Sequence, residues 1–165
     1  MNTKLARWFL LLPLLASGYD DPVNRGYYYR LTNAYLGEAY ALDTRSDGEH
    51  QPMMAQSGDF SGQYWRFEQH DGCYRLTNMF LGKAKSLDTH SGGKNELFMG
   101  DTGDYSGQCW YLNPEHDGFY RLSNMYLGTS HSLDNSSDEG HQPVMAESGN
   151  FSGQLWRLTR IRKVD

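Results

Sequence analysis

Gln63-Tyr64-Trp65 closes a unit that returns in register as Gln108-Cys109-Trp110 and Gln154-Leu155-Trp156. An Asp stands 22 residues before each Trp (Asp43, Asp88, Asp134), and a Tyr stands 14 residues before each Asp (Tyr29, Tyr74, Tyr120). Each Tyr opens the same run: Tyr29-Arg30-Leu31-Thr32-Asn33, Tyr74-Arg75-Leu76-Thr77-Asn78 and Tyr120-Arg121-Leu122-Ser123-Asn124. Of the 37 aligned positions from Tyr to Trp, 15 are identical in all three copies. Self-similarity at a period of about 45 residues marks stacked supersecondary units, none of which can bury its apolar face alone.

Within the first unit the pattern predicts four short strands, near 28–33, 39–43, 51–55 and 63–68. Turns carrying Leu36-Gly37, Asp47-Gly48 and Gly58-Asp59 separate them, each with a residue suited to positive φ. The single length change falls between the second and third units, where Asn113-Pro114-Glu115-His116-Asp117-Gly118 replaces the shorter Glu68-Gln69-His70-Asp71-Gly72. Insertions are cheap in such connectors. Three units of four strands are too few to close a propeller. They point to an all-β protein, a β-trefoil built as a six-stranded barrel capped by three hairpins. Leu31, Leu42, Met54 and Trp65, with their repeats, are its expected core layers. Trp65, Trp110 and Trp156 are read as structural residues, each buried side chain contributing about 1.5–3 kcal/mol.

High aromatic content and plentiful Gly and Asp fit short strands and tight turns rather than helices or disorder. The first 18 residues stand outside the repeat. Lys4 and Arg7 precede an apolar stretch over 8–16, and Ala16-Ser17-Gly18 offers small residues for cleavage, the layout of a secretory signal peptide. The expected organisation is a leader (1–18), a linker (19–26) and one domain (27–165) with repeats at 27–72, 73–118 and 119–165. No Cys follows the apolar run, which argues against a lipid anchor. Without Lys4 and Arg7, 13 basic residues face 20 acidic ones, a net of −7. That surface should repel nucleic acid and anionic membranes. No later apolar run approaches the roughly 18 residues of a membrane span. The protein is therefore expected to be secreted.

Cys73 and Cys109 both lie in the second unit. If the first and last strands of one unit pair, the two sulfurs share a face and a disulfide is open to them; two free thiols is the alternative. No metal site and no cofactor is expected from such an isolated pair.

The three Q-x-W triplets, each about twenty residues after a Leu-Asp pair, resemble the ricin B-type β-trefoil lectins over residues 27–165. The resemblance implies a shallow sugar pocket on each unit. In it, an Asp accepts hydrogen bonds from vicinal hydroxyls, the motif's Gln props that Asp, and an aromatic ring stacks on the sugar. Carried over, the Asp residues are Asp43, Asp88 and Asp134 and the Gln residues are Gln63, Gln108 and Gln154. The candidate rings are Phe60, Tyr105 and Phe151. Two roles are open to each Asp, ligand contact or capping of the next turn. Two are open to each ring, stacking or packing under its loop. Tyr35, Phe80 and Tyr126 form a second aromatic set expected to flank a hairpin turn. The sequence departs from that family at Gly62, Gly107 and Gly153, where the lectins usually carry Asn, and the stretch from Asp to Trp is shorter.

The first and third units share His50-Gln51-Pro52 and His141-Gln142-Pro143, where the second has Asn95-Glu96-Leu97. Their pockets should resemble each other most. Asn135-Ser136-Ser137 and Asn150-Phe151-Ser152 match the glycosylation acceptor pattern. Catalytic patterns fail. Gly58-Asp59-Phe60-Ser61-Gly62 places its Ser one residue too late for a nucleophile elbow. The stretch from Asp43 to Gly48 puts Arg45 at a calcium-ligand position. The expectation is a non-enzymatic, secreted carbohydrate-binding module with up to three pockets. The alternative is a protein-binding trefoil, inhibitor or scaffold, with degenerate sugar sites.

Overall fold

A computed structural model describes residues 21–165 apart from 91, 93 and 94. The expected leader lies outside the described residues. The first unit contains β1 (Tyr27–Asn33), β2 (Tyr40–Thr44), β3 (Pro52–Gln56) and β4 (Trp65–His70). The second contains β5 (Cys73–Asn78), β6 (Lys85–Thr89), β7 (Leu97–Asp101) and β8 (Trp110–Pro114). The third contains β9 (Tyr120–Asn124), β10 (His131–Asn135), β11 (Pro143–Glu147) and β12 (Trp156–Lys163). The first and last strands of the units close a six-stranded barrel in the order β1-β12-β9-β8-β5-β4, and the inner pairs form three separate hairpins. This is a β-trefoil. No described helix is long and apolar enough to cross a membrane.

The barrel is sewn mainly between units rather than within them. β4 pairs with β5 from Trp65↔Asn78 to His70↔Cys73, whereas β1 meets β4 only at Tyr29↔Trp65 and β5 meets β8 only at Tyr74↔Trp110. No unit can close its share of the barrel alone, which is the physical content of the repeat. The expected core is in place: Leu31, Leu42, Met54 and Trp65 are buried with all their counterparts. Each Trp Nε1 donates to the carbonyl of the Leu before the repeated Asp (Leu42, Leu87 and Leu133, at 2.8, 2.9 and 2.8 Å), so the ring's polar atom is satisfied.

Three details differ from the sequence reading. The last strand begins at Trp65, not at residue 63. Ser61–Gln63 form a 3-10 turn repeated at Ser106–Gln108 and Ser152–Gln154, because the Gln side chain is drawn inward and buried. At the hairpin tips positive φ falls on His50, Asn95 and His141 rather than on Gly48, while the Leu-Gly turns do place it on Gly37, Gly82 and Gly128. The described part of the expected linker is not a free tether. Val23 is buried in the core, Asn24 N donates to Tyr29 Oη at 2.7 Å, and the Tyr74 hydroxyl donates to Asp21. Burial and that bond to a carboxylate push the Tyr74 phenol above its ordinary range.

Units are also joined by buried polar bonds that run around the threefold axis. Asn78 Nδ2 donates to Thr44 Oγ1 (2.6 Å), Asn124 Nδ2 to Thr89 Oγ1 (2.7 Å) and Asn33 Nδ2 to Asn135 Oδ1 (2.6 Å). Each of these Asn residues also accepts the N–H of the Leu three residues on, which forms the tight turn after the first strand. Asn135 is committed to this joint and buried, so the acceptor pattern it begins is closed to glycosylation; Asn150 is exposed. Cys73 and Cys109 are joined by a disulfide with a Cα–Cα separation of 5.4 Å. The aligned residues of the first unit, Tyr28 and Tyr64, have ring centroids 6.3 Å apart, so a contact recurs where the sulfurs bond.

Candidate functional site

Each Leu-Asp pair stands one residue before the end of the second strand of its unit, and alternation sends Leu to the core and Asp to the opposite face. Asp43 Oδ1 accepts the N–H of Thr44 at 2.7 Å and its Oδ2 accepts Gln63 Nε2 at 2.9 Å. Asp88 repeats this with Thr89 N and Gln108 Nε2 (2.7 and 2.9 Å), and Asp134 with Asn135 N and Gln154 Nε2 (2.8 and 3.0 Å). The Gln amide is itself held. Its Nε2 also donates to Gln56 O, Asp101 O or Glu147 O at 2.8 Å, and its Oε1 accepts the N–H of Gly58, Gly103 or Gly149 at 3.0 Å. A carboxylate offers about four acceptor directions. Two are used here, which leaves two for hydroxyls or amines from outside.

The glycines before each Gln are explained by this arrangement. A Cβ added to Gly62, Gly107 or Gly153 would lie 2.1 Å from Asp43, Asp88 or Asp134 Oδ1. The Asn usual in ricin B-type lectins therefore has no room beside the carboxylate as it stands. Gly62→Ala, and its counterparts, should displace the carboxylate from its two bonds and destabilise by about 1–3 kcal/mol. Denaturant unfolding of the three single variants measures this, and a neutral result at all three positions would show that the carboxylate is not held there.

Sequence reasoning passed over one further member of the network. Arg30 Nη2, Arg75 Nη2 and Arg121 Nη1 donate to the carbonyls of Gly58, Gly103 and Gly149 at 2.6, 2.8 and 2.8 Å, pinning the loop that carries the candidate ring. The signal was present: this Arg is among the positions identical in every copy. In the third unit the longer connector adds Glu115, whose carboxylate accepts Arg121 Nε at 2.8 Å, and Arg121 Nη1 also reaches Gln154 Oε1.

Phe60, Tyr105 and Phe151 are not packed under the loop. Each ring folds over a glycine of its own loop, where an added Cβ would come within 2.3–2.5 Å of ring carbon, and each stays 58–60% exposed. The second aromatic set has a larger role than its sequence position suggested. Phe80 of the second unit lines the pocket of Asp43 and Phe60; Tyr126 of the third lines that of Asp88 and Tyr105; Tyr35 of the first lines that of Asp134 and Phe151. The three concavities, of about 430, 590 and 820 Å³ in the first, second and third units, thus lie at the joints between units.

Outside the linings of the first and third pockets, a His stands edge-on to the neighbouring unit's lining ring: His50 to Phe80 at 5.6 Å and His141 to Tyr35 at 6.1 Å. The second unit has Asn95 at this position and instead lays His90 flat on Phe98, with centroids 4.1 Å apart. Asp101, also lining the second pocket, lies 2.7 Å from Lys85 Nζ, whose hydrogen bond and charge hold its carboxyl below the usual carboxylate range.

Neither a protein-family model nor any curated protein sequence matches the chain. Solved structures do match in fold. One is the designed threefold-symmetric protein ThreeFoil, with 24% identity and a TM-score of 0.70, covering 81% of this chain and 99% of that one. SeviL bound to the asialo-GM1 saccharide is similar at 19% identity and a TM-score of 0.60, over 80% of this chain and 95% of that chain. A Polyporus squamosus lectin bound to an influenza-binding glycan epitope is similar at 14% identity and a TM-score of 0.69, over 84% of this chain and 50% of its own. At these identities the likeness establishes the β-trefoil fold.

Proposed function

We propose that this protein is a non-catalytic, lectin-like carbohydrate-binding module with a shallow saccharide pocket at each of the three joints between units. One observation carries the reading: every joint presents a carboxylate held by Gln and backbone N–H beside two exposed aromatic rings from neighbouring units. The carboxylate suits vicinal hydroxyls, and the rings suit the C–H-rich face of a sugar. SeviL and the Polyporus lectin, both described with bound saccharide, support the choice of ligand class. A single shallow pocket of this kind gives affinity near the millimolar range, so useful binding comes from engaging several pockets at once. We further propose secretion after removal of the leader. The disulfide supports an oxidising compartment, and the mass of the exported chain should correspond to cleavage near residue 18.

A glycan array probed with the protein tests the reading. Binding is expected to be stronger to multivalent than to monovalent display and to be lost when Asp43, Asp88 and Asp134 are all changed to Ala in a chain shown by circular dichroism to be folded. Absence of binding to any glycan would reject the module. Binding that survives the triple variant would reject these sites.

A further inference from the structure

The second-unit pocket differs in kind from the other two. Four planar rings line it, His90, Phe98, Tyr105 and Tyr126, with His90 and Phe98 stacked at 18° between their planes. At the positions of His90 and Phe98 the first unit has Arg45 and Met53, and the third has Ser136 and Val144. Three carboxylates line the same pocket: Asp88, Asp101 and Asp104. Lys85 balances Asp101, but among the described residues Asp88 has no Lys or Arg partner and Asp104 pairs with His70, beside Asp71. In the first-unit pocket a guanidinium (Arg45) stands among the lining residues, and the third-unit pocket, lined by the carboxylates of Asp134 and Glu147, has only two aromatic rings, Tyr35 and Phe151.

A surface rich in ring faces and carboxylates attracts a cation twice over. The rings' quadrupoles favour positive charge above their faces, and the carboxylates supply charge-assisted acceptors. Asp88, set as in the other units to take vicinal hydroxyls, keeps the sugar requirement. We propose that the second-unit pocket, the one that combines four rings with carboxylates, takes a saccharide bearing a free ammonium group, a 2-amino-2-deoxy sugar. This rests on reading the joints as saccharide pockets. A phosphate-linked quaternary ammonium group would carry an anion toward three carboxylates, so the amino sugar is the better match.

The test is calorimetric titration of the whole protein with a fully deacetylated glucosamine trimer, its N-acetylated counterpart and phosphocholine. The deacetylated trimer should bind at least tenfold more tightly than the acetylated one. Asp101→Asn/Asp104→Asn, two exposed positions whose change leaves the core untouched, should reduce that preference by about tenfold, roughly threefold per exposed carboxylate. His90→Ser/Phe98→Val, which installs the third unit's residues, should reduce it further. Equal binding of the two trimers, a preference unmoved by both variants, or binding of phosphocholine alone would overturn the proposal. If neither trimer binds while neutral glycans do on the array, the amino-sugar assignment falls and the saccharide reading stands. If no glycan of any kind binds, both fall.

Discussion

Trp65→Ala is expected to lower the free energy of unfolding by about 3–5 kcal/mol, the cost of deleting a large buried side chain and leaving a cavity. The ring is fully buried, as are those of Trp110 and Trp156, and three such rings dominate the barrel interior. The truncation also leaves the Leu42 carbonyl without its Nε1 donor, adding the cost of an unpaired buried acceptor. For a domain of this size the melting temperature should fall by roughly 10–20 °C. Guanidinium unfolding and thermal melts of the three single variants check this, and the threefold repetition predicts similar losses at Trp110 and Trp156. A loss below about 1 kcal/mol at all three would contradict burial of the rings.

Removing the disulfide should have an effect of nearly the same size. Cys73 and Cys109 are 36 residues apart in the chain, and the chain-entropy account of a loop that long gives about 4 kcal/mol. The expected result is a lower melting temperature for Cys73→Ser/Cys109→Ser, matched by the natural protein under a strong reductant, with the variant itself insensitive to reductant. A natural protein whose melting does not respond to reduction would argue that the bond does not form in solution. Both cysteines are buried but lie outside the main core cluster, so the loss should come chiefly from the crosslink.

Much of this fold is legible along the chain because the decisive signals are local and occur three times. Leu31, Leu42, Met54 and Trp65 are recognisable as core once their counterparts fall into register, since a period-two strand must send the same face inward in every copy. The Asp–Gln pairing was legible only through the family resemblance. Its physical cause, a 3-10 turn that turns Gln63 inward, leaves no pattern that distinguishes it from the start of a strand. Gly62 looked like the loss of a ligand. In the folded chain it is the space that the Asp43 carboxylate occupies. Arg30 and Asn33 were visible as invariant residues, yet their roles depend on partners far along the chain, Gly58 for one and Asn135 for the other.

The amino-acid sequence alone determined the number of units, their strands and the residues that fill the core, because hydrophobic alternation and turn chemistry act over a few residues and repetition averages out their ambiguity. Only the tertiary structure decided what makes a pocket. Tyr35 stands in the first unit and Asp134 in the third, and they meet because β1 pairs with β12 to close the barrel. Barrel closure brings the first and last strands together without any local signature. The candidate sites therefore belong to the joints between units and not to the units themselves.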